Sequence, residues 1–296
     1  MGNPLVSIVV PVLNEEKTIR FCLESLLAQD LPKNEVEILV VDCGSTDRSV
    51  SMIQSYPVQY LFEPIRNRAC ARNRALAHAR GRFAAFTDGD CIPAPNWLRL
   101  LMEGFTHEGM GGCGGEFNFP QHAAWVERFF YNDTGEMGWP HRAIIQGTLW
   151  PSLWTANAMY DARALRQIGF FDESLVDFED IDLGWRVSLA GYELRYIPGA
   201  HVAHAGMSDL RDMWNRAQEV TVGLEQLFYK YVPLLPLPSF HRWLRALHLL
   251  KLVSFHGSAS LLSFLKRSGS HNGKTHFLYG FYFLAFLIGL LRARIS

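Results

Sequence analysis

Short apolar runs alternate with helical patterns over the first hundred residues, and this alternation constrains the fold more than any other feature. Buried strands are predicted at residues 5–10 and 37–41, and further strands at residues 59–62 and 83–87. Helices are predicted at residues 47–55, 66–80 and 95–105, and where Ile19, Leu23, Leu26 and Leu27 recur at helical spacing. Strands and helices in alternation favour a parallel sheet with helices on both faces.

Acidic side chains follow these strands at the points where each strand ends. They are Glu15, Asp42, Asp88 and Asp90. Ligands of open α/β sheets bind at the carboxyl ends of the strands. The sequence therefore predicts a ligand site with several carboxylates at this edge of the sheet.

Asp88-Gly89-Asp90 is the sharpest local motif. Residues two apart on an extended chain point to the same side, so both carboxylates can face one divalent ion. Gly89 lets a ligand approach closely, and carboxylates with diphosphate oxygens suit Mg²⁺ or Mn²⁺. The alternative is an ordinary turn after a strand, in which Asp and Gly are common.

Two further acidic motifs allow a structural and a functional interpretation. Asp42 could accept a hydrogen bond from a nucleotide base or cap the next helix, although Ser45 or Thr46 could provide that cap instead. Glu179-Asp180-x-Asp182 opens a predicted helix, where carboxylates favour the helix dipole. A carboxylate there could also act as the general base for a substrate hydroxyl.

Basic and histidine residues give weaker signals. Four arginines fall in the predicted helix at 66–80, namely Arg66, Arg68, Arg72 and Arg74. They could form a solvated face or neutralise a phosphate-bearing ligand. His201 and His204 follow a strand predicted at residues 194–197, and either could be structural or a ligand.

The charge is strongly divided along the chain. Residues 226–296 contain nine Lys or Arg and no Asp or Glu, while the whole chain has a net charge of −1. The acidic body is a poor nucleic-acid binder. The basic, apolar tail suits an anionic membrane surface, although an oligomer interface is the alternative. Its second apolar stretch, residues 277–291, contains no charged residue but is shorter than the roughly 20 residues that a bilayer span needs.

Several motifs in order resemble the family 2 glycosyltransferases, which have the GT-A fold. They are VSIVVPVLNEE at 6–16, VVDCGSTD at 40–47, ARN at 71–73, FTDGD at 86–90, WTANA at 154–158, GFFDE at 169–173, EDIDLGWR at 179–186 and AGY at 190–192. The resemblance covers residues 5–206. It implies a Rossmann-like, mostly parallel sheet with helices on both faces. The charge and the apolar stretches of residues 226–296 predict in addition a helical, membrane-associating tail.

The resemblance also implies a domain organisation. Residues 1–225 would form the catalytic domain, with a nucleotide-binding half at about 1–110 and an acceptor half at about 111–225. Residues 226–296 would form the tail. The implied activity is an inverting transfer of a sugar from a nucleotide-diphosphate donor to a hydroxyl group, with Mn²⁺ or Mg²⁺ as cofactor.

Residue roles follow from the same resemblance. The nucleotide would be bound by Pro11, Val12, Leu13, Glu15, Asp42, Arg72, Asp88 and Gly89. The metal would be bound by Asp88, Asp90 and His204. Asp180 matches the general base, and the acceptor would contact Trp154, Asn157 and Glu179.

The chain departs from the family pattern at three positions. Cys43 stands where a second acidic residue is usual, Cys91 follows Asp90 in place of another Asp, and Leu13 stands where an aromatic residue is common. None of these removes a metal ligand or the base. Because Asp42 suits a pyrimidine N–H, UDP or dTDP donors are expected in preference to GDP.

Two other functions were weighed. A nucleotidyltransferase would want a glycine-rich, basic phosphate loop after the first strand, but residues 11–16 contain no glycine and two glutamates. A degenerate, nucleotide-sugar-binding membrane subunit would be attractive if Asp90 or Asp180 were missing. We expect an enzyme of surface polysaccharide or glycolipid assembly, acting on a glycan or lipid-linked acceptor at the cytoplasmic face of a membrane.

Overall fold

The computed structural model describes residues 3–118, 144–145, 151–204 and 210–231. The chain divides into two compact units, one of residues 1–121 and 140–206 and the other of residues 122–139 and 207–296. The first unit contains the sheet and the candidate site. The described part of the second unit is one long helix, within which the predicted boundary at residue 225 falls. That boundary stays a prediction.

Ten strands and seven helices lie in the described residues. The strands are β1 (Val6–Val12), β2 (Val36–Asp42), β3 (Gln59–Phe62), β4 (Phe83–Phe86), β5 (Cys91–Pro93), β6 (Met110–Asn118), β7 (Ile144–Ile145), β8 (Ser152–Leu153), β9 (Ala158–Asp161) and β10 (Glu193–His204). The helices are α1 (Ile19–Leu27), α2 (Ser49–Ile53), α3 (Arg68–Leu76), α4 (Trp97–Glu103), α5 (Ala162–Ile168), α6 (Glu179–Leu189) and α7 (Leu210–Tyr231). Short 3₁₀ turns occur at Lys33–Glu35 and Thr155–Asn157.

The main sheet has eight strands in the order β3-β2-β1-β4-β9-β6-β10-β5. The half built from β1 to β4 is parallel, as predicted. The prediction of a mostly parallel sheet is only partly correct, because β9 runs antiparallel to β4 and β6, and β5 runs antiparallel to β10. The result is a mixed α/β sheet, consistent with the GT-A fold.

Helices cover both faces of the sheet, as predicted. Successive residues of β1 point to opposite faces, so Ile8 and Val10 join one apolar core and Val9 joins the other. The first core includes side chains of α1, α2 and α4, and the second includes side chains of α3, α5 and α6. Strands β1, β2 and β4 are therefore largely buried on both faces, which explains their continuous apolar runs, whereas the edge strand β3 is partly exposed.

Strand β6 was not predicted from the sequence, because residues 109–115 are dense in glycine. Glycine is unfavourable in strands, but here neighbouring groups leave no room for a side chain. A Cβ at Gly115 would lie 2.0 Å from the Ala200 carbonyl oxygen, and one at Gly112 would lie 2.8 Å from the Tyr160 ring. Close packing against β9 and β10 therefore explains the glycines.

The tail predicted at 226–296 lies almost wholly outside the described residues, as does the aromatic stretch at 125–131. Within the described ranges, none of the helices combines the length and the apolar character that crossing a bilayer requires.

Candidate functional site

The loops after β1 and β2 are joined at the carboxyl end of the parallel strands. The backbone N–H of Asn14 donates to Ser45 Oγ at 2.9 Å, and Asn14 Oδ1 accepts from the Thr46 N–H at 2.8 Å. Asn14 has a positive φ of 59°, which asparagine tolerates better than most residues. The loop predicted to hold a nucleotide base is therefore firmly attached to the segment that follows Asp42.

Asp42 is buried at the end of β2 and orders the turn that follows it. Its carboxylate accepts hydrogen bonds from the backbone N–H groups of Gly44, at 3.0 Å, and Ser45, at 3.1 Å. Neither Ser45 nor Thr46 caps α2, because Asp47 Oδ1 accepts from the Ser49 N–H at 2.9 Å instead. A carboxylate has about four acceptor sites, so Asp42 can still accept a hydrogen bond from a nucleotide base. That contact stays a prediction.

Arg72 lies in the interior, with 1% of its surface exposed. Its Nη2 donates to Asp88 Oδ1 at 3.0 Å, and its Nη1 donates to Glu179 Oε1. Its guanidinium also lies 5.6 Å from the centroid of the Phe171 ring. The guanidinium thus joins the loop after β4 to the start of α6.

The four arginines do not form one basic face, so that interpretation was wrong. Arg72 is buried, Arg74 is exposed, and Arg66 precedes α3 and donates to the Gly44 carbonyl at 3.1 Å. Arg68 lies 3.5 Å from Asp177. Arg68 and Arg72 are four residues apart and share one side of α3, whereas Arg74 lies on another side and Arg66 lies outside the helix.

Asparagines at the start and middle of α3 hold the segment that leads to α6. Asn67 caps the helix by accepting from the Ala69 N–H at 2.7 Å, and its amide donates to the Leu175 carbonyl at 2.9 Å. Asn73 donates to the Phe171 carbonyl and accepts from the Phe171 N–H, both at 3.0 Å. The position of Glu179 and Asp180 is therefore set by α3.

Asp180 lies in the first turn of α6, directly after Phe178 and Glu179. Phe178 has a φ of 60°, in the left-handed region that non-glycine residues rarely adopt. Burial, with the negative charges of Glu179 and Asp177, raises the pKa of Asp180 to about 7 against the opposing charge of Arg72. A carboxyl with such a pKa can exchange a proton near neutral pH.

A second group of ligand atoms lies where β5 pairs with the end of β10. His204 Nε2 is 3.8 Å from Asp90 Oδ2, and Cys91 Sγ is 3.6 Å from Asp90 Oδ1. The three ligand atoms all lie within 4.8 Å of one another. The sequence placed Asp90 and His204 together but did not predict Cys91.

This group fits a divalent cation through Asp90 and His204, because carboxylate and imidazole are both common ligands of such ions. Burial raises the pKa of the Cys91 thiol well above its usual range, so we expect a neutral thiol rather than a thiolate. Asp88, the other predicted ligand, has one carboxylate oxygen on Arg72.

Glu15 lies beside the loop that contains Asp88 and Asp90. Its Oε2 accepts from Thr18 Oγ1 at 2.7 Å. Burial, followed by the charges of Asp90 and Asp88, raises its pKa to about 7. A Cβ at Gly89 would lie 3.2 Å from Glu15 Cγ. Gly89 therefore makes room for a protein side chain as well as for any ligand.

The predicted acceptor residues occupy different environments. Asn157 is fully buried, and its amide accepts from Trp97 Nε1 at 2.8 Å and donates to the Glu116 and Ala200 carbonyls. Both amide hydrogens are thus bound within the protein. The Glu179 carboxylate is on Arg72, while the half-buried Trp154 ring packs 5.9 Å from Phe117. Contact with the acceptor substrate therefore stays a prediction for Trp154.

The structure also separates two residues from the sets to which the sequence assigned them. Asp182 is fully buried and pairs with Arg186 Nε at 2.8 Å, so it stabilises α6. His201 Nδ1 lies 3.6 Å from Glu116, whereas His204 lies beside Asp90.

The model of glycosyl transferase family 2 matches residues 7–169, which is more than half of the chain. The chain therefore belongs to this family, and it is a glycosyltransferase. The chain is 28% identical over 213 residues to the glycosyltransferase AglE of Haloferax volcanii, covering 68% of this chain and 67% of AglE. It spans less than half the length of another curated relative that it matches.

Two solved structures share the fold. The mannosyltransferase PcManGT from Pyrobaculum calidifontis, in complex with GDP-Man and Mn²⁺, has a TM-score of 0.63 at 20% identity over 100% of this chain and 87% of that one. S. aureus TarS 1–349, in complex with UDP, has a TM-score of 0.54 at 18% identity over 98% of this chain and 91% of that one. At these identities the likeness extends to the fold alone.

Proposed function

We propose that this glycosyltransferase inverts the anomeric carbon of a nucleotide-diphosphate sugar by direct attack of an acceptor hydroxyl, with Asp180 as the general base. One observation carries the proposal. Asp180 has a pKa raised to about 7, and Glu179 and Arg72 connect its position to Asp88. The proposed proton acceptor thus directly follows Glu179, which Arg72 joins to Asp88 at the strand-end donor site.

The residues of the chain have separate parts in this reaction. Asp42 and the loop of Pro11–Glu15 hold the nucleotide base. Asp180 accepts the proton of the attacking hydroxyl, which is the role of a general base. An in-line displacement then inverts the anomeric centre. The product's anomeric configuration, read by NMR against that of the donor, tests this: retention would contradict the proposal.

We propose Mn²⁺ or Mg²⁺ as the cofactor, held by Asp90 and His204. When bound, such an ion neutralises charge on the nucleoside diphosphate leaving group. The Mn²⁺ in the complex of PcManGT supports a divalent ion in this fold. UDP or dTDP remains our preferred donor nucleotide because of Asp42. The solved complexes of PcManGT and TarS contain GDP-Man and UDP respectively, and the unfolding measurements below compare the three nucleotides directly.

Asp90→Ala is expected to abolish the stabilisation by nucleotide that depends on metal. Thermal unfolding would be followed with UDP, dTDP and GDP, each with and without Mn²⁺ or Mg²⁺. A ligand at about 100 times its Kd adds roughly 2.7 kcal/mol to the free energy of unfolding. His201→Ala, on the same strand as His204, is the matched control and should keep the effect. Equal metal-dependent stabilisation of Asp90→Ala would remove Asp90 from the ion site.

The rate at donor concentrations far below KM, which reports the pKa of the donor-free enzyme, is expected to rise with pH through about 7 and then level off. Only the deprotonated Asp180 can accept a proton, so the rate should fall about tenfold for each pH unit below this pKa. Initial rates between pH 5 and pH 9 measure the midpoint. A rate that stays constant down to pH 5 would show that the carboxyl does not act as the base.

We also propose that the tail places the enzyme on the cytoplasmic face of a membrane, with a glycan or lipid-linked acceptor. The net charge of +9 over residues 226–296 supports attraction to anionic headgroups. Removal of residues 241–296 is expected to shift the protein from the membrane fraction to the soluble fraction after cell lysis. If the full-length chain were already soluble without detergent, an oligomer interface would be the better assignment.

A further inference from the structure

Arg72 is the one basic side chain in the described part of the chain that bonds directly to both Asp88 and Glu179. A planar guanidinium donates from separate nitrogens held in a fixed fork, so its Nη1 and Nη2 can each bond a different carboxylate, whereas an ammonium group donates from a single nitrogen. It lies on α3, the helix that also holds residues 171–175 through Asn67 and Asn73. Two different elements therefore meet at one buried cation.

Several charged or titratable groups face Asp180. Arg72 acts on it from α3, Tyr160 from β9, and Glu179 and Asp177 from its own segment. Asp177 is in turn close to Arg68, at 3.5 Å. Among these groups, Arg72 is the cation that also bonds to Asp88, so any change in the Asp88 contact alters the charge balance around Asp180.

We propose that Arg72 is a positioning residue that couples the Asp88 end of the donor site to Asp180 through Glu179. The inference rests on the proposed function of Asp180 as the base. When a donor engages Asp88, Arg72 bonds less to Asp88 and more to Glu179, and the negative charge beside Asp180 is better neutralised. Binding of the donor then favours the deprotonated base, before the acceptor hydroxyl attacks.

The test reads the pKa of Asp180 in two ways. The first is the pH dependence of the free energy of unfolding for each variant, compared with the same variant carrying Asp180→Asn. The second is the pH midpoint of turnover. The unfolding measurement needs no substrate, so it reports the coupling independently of catalysis.

Three variants have distinct expected results. Arg72→Lys, whose ammonium cannot reach both carboxylates, should raise the midpoint by up to about one pH unit. Glu179→Gln keeps an acceptor for Arg72 but removes a neighbouring negative charge, so it should lower the midpoint by about one unit. Asp88→Asn should also lower the midpoint in the unfolding measurement, because Arg72 loses its competing partner.

Arg68→Lys is the matched control, since Arg68 lies on the same helix and near Asp177 but bonds to neither Asp88 nor Glu179 in the described contacts. It should leave the midpoint unchanged. Suppose that Asp180→Asn is inactive but that neither Arg72→Lys nor Asp88→Asn shifts the pH midpoint. This result would overturn the coupling and leave Asp180 as the base. Normal turnover of Asp180→Asn would instead remove the base on which the inference rests.

Discussion

Asp180→Asn is expected to lower turnover by about 10²–10⁴-fold at pH 8, which is the contribution of a well-placed general base. The amide has nearly the same shape as the carboxyl but cannot accept the proton. Asp180 makes no bond to Asp42 or Asp90 in the described contacts, so nucleotide affinity should fall by no more than the roughly tenfold that coupling through Arg72 allows. Steady-state rates and calorimetric titration with nucleotide and metal measure the two quantities separately.

Asp172→Asn is a suitable control for this substitution. Asp172 lies in the segment between α5 and α6 and accepts a hydrogen bond from Ser174 Oγ at 2.6 Å. It should therefore keep most of the wild-type turnover. Wild-type rates in Asp180→Asn, or an equal loss in Asp172→Asn, would contradict the assignment of the base.

Asp180→Asn should also change how the free energy of unfolding depends on pH. Because the folded-state pKa of Asp180 is raised to about 7, this group stabilises the fold fully only below its unfolded pKa, and the contribution is lost as pH rises through 7. Asp180→Asn carries no charge at any pH. Its unfolding temperature should thus exceed that of the wild type at pH 8, and the difference should disappear at low pH.

Arg72→Met is expected to lower the free energy of unfolding by about 3–5 kcal/mol, the usual effect of removing one partner from a buried ion pair. The variant leaves Asp88 and Glu179 without their shared cation, and Glu179 is itself buried. Methionine retains much of the side-chain volume, so the lost charge dominates the effect. Urea denaturation followed by circular dichroism gives the difference.

Arg74→Met controls for the change of residue type on the same helix. Arg74 is exposed, and exposed substitutions away from special features usually change stability by no more than about 0.5 kcal/mol. Comparable losses in the two variants would show that the buried contacts of Arg72 contribute little to the fold.

The parallel half of the sheet could be predicted closely because its signals are local. The strand predicted at 59–62 matches β3, and the strand predicted at 83–87 extends one residue beyond β4. Apolar runs of this length between helical patterns have few other stable arrangements. Because the strands were predicted closely, their ends were too, and so was the edge of the sheet where Asp42, Asp88 and Asp90 lie.

The mixed half of the sheet, in which β6 and β10 pair in parallel while β9 and β5 run antiparallel to their neighbours, was harder to predict because its reasons are not local. The glycines of β6 are explained by Ala200 and Tyr160, which are distant in sequence. Strand β10 extends to His204 because it pairs with β5, so that His204 lies opposite Cys91. No periodicity within β6 or β10 contains this information.

The sequence by itself determined the class of fold, the family and the residue types at the strand ends, since each depends on patterns within a few neighbouring residues. Only the tertiary structure decided which partner each charged group has. Arg72 reads as part of a basic helix, yet it is buried between Asp88 and Glu179. Asn157 reads as an acceptor contact, yet its amide joins Trp97 to β6 and β10. Burial and hydrogen-bond partners arise from segments far apart in the chain, and they decide whether a polar side chain serves the reaction or the fold.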